Sequence, residues 1–185
     1  MGKIYESITP EIGAWMGKQK IFFVATAPLS AEGHINCSPK GLDALRILDE
    51  HTVVYEDLTG SGVVTIAHIR ENERILIMFC AFEGPPKIVR LHGKGFALTP
   101  GHPEFERCHA LFPKRQGVRA YIRVDVSRVS DSCGYSVPLF TFRQERAVLD
   151  KWCANKGDAG IVAYRKQKNR YSIDGLPALS EAEME

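Results

Sequence analysis

Short apolar runs divided by turn residues fill most of the chain. "KIFFVATA", residues 20–27, reads as a buried strand, and "HINCSPKG", residues 34–41, follows across a Pro28–Gly33 loop as its hairpin partner. "HTVVYEDL", residues 51–58, is rich in β-branched and aromatic residues and makes a third strand. "RILIMFCAF", residues 74–82, is almost continuously apolar, as expected of a strand buried on both faces. After a Glu83–Pro86 turn, "KIVRLHGKGFALT", residues 87–99, returns as its antiparallel partner, with Gly93 and Gly95 marking a bend or bulge. "RAYIRVDVSRVSDSC", residues 119–133, alternates as one long strand.

Helical spacing is sparser. Thr9-Pro10-Glu11 supplies an N-cap, a first-turn proline and a first-turn acid, opening a helix through about Lys18. Ile66, Ala67, Ile69 and Arg70 fall at helical spacing, and "HPEFERCHALFP" reads as a helix closed by Pro113. "RQERAVLDKWCANKG" predicts an amphipathic helix from 143 ending at Gly157, a C-cap glycine. "GIVAYRKQKNRYSIDGLPAL" starts helical and ends irregular, and "SEAEME" reads as a frayed acidic end. Strands outnumber helices and lie close in sequence. The predicted fold class is therefore mainly β, an antiparallel β-barrel with flanking helices. One domain spans 1–185, with an N-terminal helix to about residue 18 and a helical extension and tail from about 143 to 185. No βαβ repeat appears, and Gly60-x-Gly62 lacks the dinucleotide-binding spacing.

Composition narrows the function classes. A formal net charge of +2 over 185 residues gives no electrostatic case for nucleic acid or an anionic membrane. No apolar run approaches the ~20 residues of a membrane-spanning helix, and "MGKIYESITPE" lacks the apolar stretch of a signal peptide. The five cysteines form no C-x-x-C pair. They predict a reducing, cytoplasmic setting without a disulfide framework or zinc ribbon.

The junction "YEDLTGSGVVTIAHIREN", residues 55–72, is the main candidate for chemistry. Two glycines and several hydroxyls join a strand to a helix. By spacing alone the ordinary reading, a serine capping a helix, leads. The alternative is an anion site built from helix-start amides and hydroxyls. Adjacent Glu56 and Asp57 point to opposite faces of a strand and cannot work as a paired acid and base. His102, Glu106 and His109 share a helical spacing, but no further ligand supports a metal face. His68 and His92 read as structural histidines. The basic run Arg165, Lys166, Lys168, Arg170 reads as a solvated helix face.

Several pieces in order, "INCSPKG", "VVYEDLTGSG", "TIAHIRENERILIMFCAFEGPPKIVRLHGKG", "SCGYSVPLF" and "YRKQKNRYSIDGLPAL", resemble the pyridoxamine 5′-phosphate oxidase superfamily of FMN-binding split barrels. The resemblance runs from about residue 18 to 179. It implies a homodimer with FMN at the subunit interface and a small-molecule substrate. Asn36, Cys37, Ser38, Pro39 and Lys40 would lie along the isoalloxazine, with Lys40 stabilising charge on the reduced ring. Tyr55 and Glu56 would lie near the ribityl chain. Thr59, Gly60, Ser61 and Thr65 would hold the phosphate, with Lys87 and Arg90 as cationic partners. On that resemblance the junction is a phosphate site. No protein nucleophile or general base is implied, because hydride transfer belongs to the flavin. The tail lacks the tryptophan and arginine–x–histidine motif of vitamin B6 phosphate oxidases, which implies another branch of the superfamily. The rival expectations are a flavin carrier or sensor without turnover, or a split barrel using deazaflavin or haem, with His92 the haem candidate.

Overall fold

The computed structural model describes residues 2–185. Its strands are β1 (Ile4–Tyr5), β2 (Phe22–Thr26), β3 (Asn36–Lys40), β4 (Leu45–Asp49), β5 (Thr52–Leu58), β6 (Arg74–Cys80), β7 (Ile88–Leu98) and β8 (Val118–Ser132). Its helices are α1 (Pro10–Met16), α2 (Val64–Asn72), α3 (Phe105–His109) and α4 (Val148–Lys168). The strands pair antiparallel in the order β3-β2-β6-β7-β8-β5-β4, with β1 added to β8. This is the mainly β architecture that the strand spacing predicts.

One face of the curled sheet encloses the main core. Val24, Tyr55, Ile77, Leu91, Ile122 and Val124 meet there, and Ile66 and Ile69 of α2 close it. The β2–β3 hairpin and the predicted β6–β7 turn form in register. The bulge expected at Gly93 falls between His92 and Gly93 in the β7–β8 ladder. A Cβ at Gly93 would stand 2.2 Å from the Asp125 carbonyl oxygen, so the bulge requires glycine there. A smaller core on the opposite face gathers Val54, Leu98, Phe112 and Tyr121.

Five local expectations are corrected. Strand β4 went unassigned because it is a five-residue edge strand with a mixed, half-exposed pattern. The helix expected over 102–113 shrinks to α3, whose five residues bury only Cys108. The helix expected from 143 starts at Val148, since Arg143, Gln144, Glu145 and Arg146 are all exposed and gain no packing from helicity. Gly157 does interrupt the helical path, at φ 62° and ψ 172°, but α4 resumes beyond it to Lys168. The acidic end is docked, not frayed. Ala182–Met184 forms a 3₁₀ turn, Met184 is fully buried, and Glu183 pairs with Arg70 and accepts from the Thr99 hydroxyl at 2.7 Å.

Candidate functional site

Strand alternation decides which predicted residues face one another. Along β3, Asn36, Ser38 and Lys40 turn to the half-buried side, while Cys37 and Pro39 turn to the exposed side. Asn36 Nδ2 donates to Thr65 Oγ1 at 3.1 Å, and Ser38 Oγ donates to Asn36 Oδ1 at 3.2 Å. Lys40 Nζ donates to Asp57 Oδ1 at 3.0 Å and lies 5.8 Å from the centre of the Tyr55 ring. The row on β3 thus spans the gap to β5 and the start of α2.

The start of α2 answers the question left by the junction. Its N-cap is Val63, which offers no side-chain cap, so Ser61 does not cap the helix. A Cβ added at Gly60 or Gly62 would meet no heavy atom within 4 Å, and neither residue has a positive φ. Neither packing within the chain nor backbone strain calls for these glycines. They leave open space before an uncapped helix start with the Thr65 hydroxyl beside it. That arrangement suits an anion.

Behind the junction lies a buried polar chain. Asp57 is 1% exposed and accepts from Lys40 on one oxygen and from Arg119 Nε, at 2.7 Å, on the other. Burial alone pushes its carboxyl up, but the Arg119 and Lys40 charges outweigh burial and hold it at about 2. Arg119 Nη1 donates to Asn169 Oδ1 at 3.0 Å, and Asn169 Nδ2 donates to the Gly60 carbonyl at 3.0 Å. Arg165 Nε donates to Thr59 Oγ1 at 2.9 Å. Asp57, Arg119, Arg165 and Asn169 were not among the predicted site residues. Asp57 was legible in principle, since Val53, Tyr55 and Asp57 share a strand face and an inward carboxylate demands a cation. Arg165, read as solvated, is buried instead.

The other predicted residues are spread out. Tyr55 is fully buried, edge-on to Phe22, and its hydroxyl has no partner among the described residues. Burial pushes that phenol well above its ordinary range. Glu56 lies on the opposite face of β5, 3.6 Å from Arg115. Lys87 stands 3.7 Å from Asp131 and over the Trp15 ring, and Arg90 donates to Ser132 Oγ at 2.9 Å. A groove of about 1650 Å³ runs past this region. Pro39, Lys40, Thr59, Gly60 and Lys87 line it, with Trp15, Phe82, Phe140 and Trp152 supplying aromatic walls. Asn36, Cys37, Ser38, Tyr55, Glu56, Ser61, Thr65 and Arg90 lie outside its lining.

The metal spacing leads elsewhere. His109 Nδ1 is 2.8 Å from the Tyr121 hydroxyl, and His102 Nδ1 accepts from the Glu104 amide. His68 is fully buried, Nδ1 against Thr26 Oγ1 at 3.0 Å, and burial lowers its pKa.

Residues 8–133 match the family model described as pyridoxamine 5′-phosphate oxidase. The chain belongs to the pyridoxamine 5′-phosphate oxidase family. A curated member, "Pyridoxamine 5′-phosphate oxidase family protein ustO" of Aspergillus flavus, is 37% identical over 201 aligned residues, covering 96% of this chain and 78% of that protein. Among solved structures, HupZ of Group A Streptococcus is 28% identical, with 66% of this chain and 91% of HupZ covered and a TM-score of 0.54. A putative pyridoxamine 5′-phosphate oxidase of Lactobacillus delbrueckii shares the fold at 17% identity and a TM-score of 0.52, over 68% of this chain and 94% of its own. The family match ends at Cys133, so α4 and the tail that supply Arg165 and Asn169 lie beyond the matched region.

Proposed function

We propose that this protein is an FMN-dependent oxidoreductase that works as a cytoplasmic homodimer on a small-molecule substrate. The observation that carries the reading is the open, uncapped start of α2, hydrogen-bonded through Thr65 to the Asn36–Ser38–Lys40 row, beside an aromatic-walled groove that Lys40, Thr59 and Gly60 line. Family membership supports the same reading, because the superfamily that the chain resembles binds FMN in split barrels.

The residues present fit such a cofactor. The amides around Gly60–Gly62 and the Thr65 hydroxyl would hold the phosphate. Asn36 and Ser38 offer neutral hydrogen-bonding groups along the strand, and Lys40 offers a positive charge where a reduced ring carries negative charge. Bound FMN would supply hydride acceptance and donation. The chain's own work is to bind, to orient and to wall off water with Trp15, Phe82, Phe140 and Trp152. Exposed Tyr135, Leu139, Phe140 and Val148 form an apolar strap beside the groove, which supports a second subunit covering it. Five free cysteines support a reducing compartment.

The test is anaerobic titration of the FMN-loaded protein with NADPH and NADH, followed by admission of an acceptor. Reduction and reoxidation over many cycles are expected. Bound FMN that neither nucleotide nor dithionite-reduced mediators can cycle would make the protein a carrier.

A further inference from the structure

Two buried side chains behind the groove do not reach it, yet they connect two parts of its wall, Lys40 and Gly60. Arg119, on β8, is 4% exposed and joins Asp57 to Asn169. Asp57 in turn holds Lys40, the cation at the groove wall. Asn169, fully buried just after α4, spends its carbonyl oxygen on Arg119 and its amide nitrogen on the Gly60 carbonyl. A side-chain amide is suited to this position, since it accepts from a guanidinium and donates to a backbone carbonyl at once. Gly60 has no side chain of its own to pack, so these bonds replace packing as the restraint on the loop.

We infer that Arg119 and Asn169 are positioning residues of the cofactor site, setting the charge that Lys40 presents and the placement of the Gly60–Gly62 amides. The inference rests on the flavin reading above. Its physical basis is twofold. A loop whose amides must converge on an anion binds better when its conformation is fixed beforehand. A lysine tied to a buried carboxylate that is itself neutralised by Arg119 keeps more of its positive field than one paired with an unshared carboxylate. The end of α4 is thereby built into the site, although the family match stops before it.

The experiment compares wild type, Asn169→Ala and Lys40→Met. Amide hydrogen exchange at residues 60–62 is measured without cofactor, FMN affinity by flavin fluorescence quenching, and the midpoint potential of bound FMN by dye equilibration. Asn169→Ala is expected to speed exchange at residues 60–62 and weaken FMN binding about tenfold, the scale of one charge-assisted hydrogen bond. Lys40→Met is expected to lower the potential. Asp57→Asn, where it folds, is expected to raise it by removing the opposing charge. Faster exchange with unchanged FMN affinity, or unchanged exchange, would overturn the role of Asn169. Potentials that do not move in opposite directions would overturn the role of the Arg119–Asp57 pair. Should Asp57→Asn fail to fold, an unmoved potential in Lys40→Met overturns the same claim. A wild-type protein that ignores FMN would refute the cofactor reading alone, and exchange would still decide the loop restraint.

Discussion

Asp57 and Glu56 are neighbours on one strand with opposite electrostatic fates. Asp57 has two cations on its oxygens, and its pKa is held at about 2 against burial. Glu56 has Arg115 at 3.6 Å from one oxygen and an unpartnered Oε1 among the described residues, and burial outweighs the cations near it, so its pKa rises. The signs follow from linkage. Asp57, depressed in the fold, contributes stability that is complete above the ordinary carboxylate range and is lost as pH falls toward about 2. Glu56, raised in the fold, costs stability at neutral pH and regains it as pH falls through its folded pKa. Asp57→Ala leaves Arg119 buried without its carboxylate and is expected to cost roughly 3–5 kcal/mol, read from urea unfolding at pH 7. A loss under about 1 kcal/mol, the scale of an exposed ion pair, would mean that water reaches the pair.

At the scale of elements, the most exacting junctions are the β7–β8 bulge and the docked tail. Gly93→Ala drives a Cβ against the Asp125 carbonyl and is expected to destabilise by about 1–3 kcal/mol. In the same measurement Gly62→Ala, which meets open space, is expected to leave folding nearly unchanged. Met184 fills the core from the last turn, so Met184→Ala is expected to cost about 2–5 kcal/mol. An unaltered melting curve would mean that the tail does not dock in solution. Glu183 adds a pH signature: burial raises its pKa, but Arg70, Thr99 and Ser180 outweigh burial and bring it to about 2. The tail's hold is therefore full at neutral pH and weakens only as pH falls from the ordinary carboxylate range toward that value.

These elements also show what could be read from the chain beforehand. β2, β5, β6, β7 and β8 were legible because each is an apolar, β-branched or alternating run bounded by turn residues, and Gly93 marked its own bulge. The short edge strand β4 was not, since half its residues face water. The site was half legible. Strand alternation and the junction bring Asn36 into hydrogen bonds with Ser38 and Thr65, and put Lys40, Thr59 and Gly60 on the groove wall. Arg119, Arg165 and Asn169 were hidden, because a cation or amide in a basic stretch looks solvated until a buried carboxylate from a distant strand is seen beside it.

For the molecule as a whole, the strap from Tyr135 to Val148 leaves Leu139 at 75% and Tyr135 at 83% exposed beside an open groove. Sedimentation equilibrium is expected to give twice the 20.6 kDa chain mass. Substitution of Leu139 and Phe140 by aspartate is expected to return the monomer and to weaken cofactor retention with it. The most direct measurement of all is the absorption spectrum of the purified protein, followed by chromatography of whatever heat releases. Flavin bands and released FMN are the expected result. A colourless protein that ignores added FMN, or one that releases haem or a deazaflavin, would contradict the assignment of an FMN site.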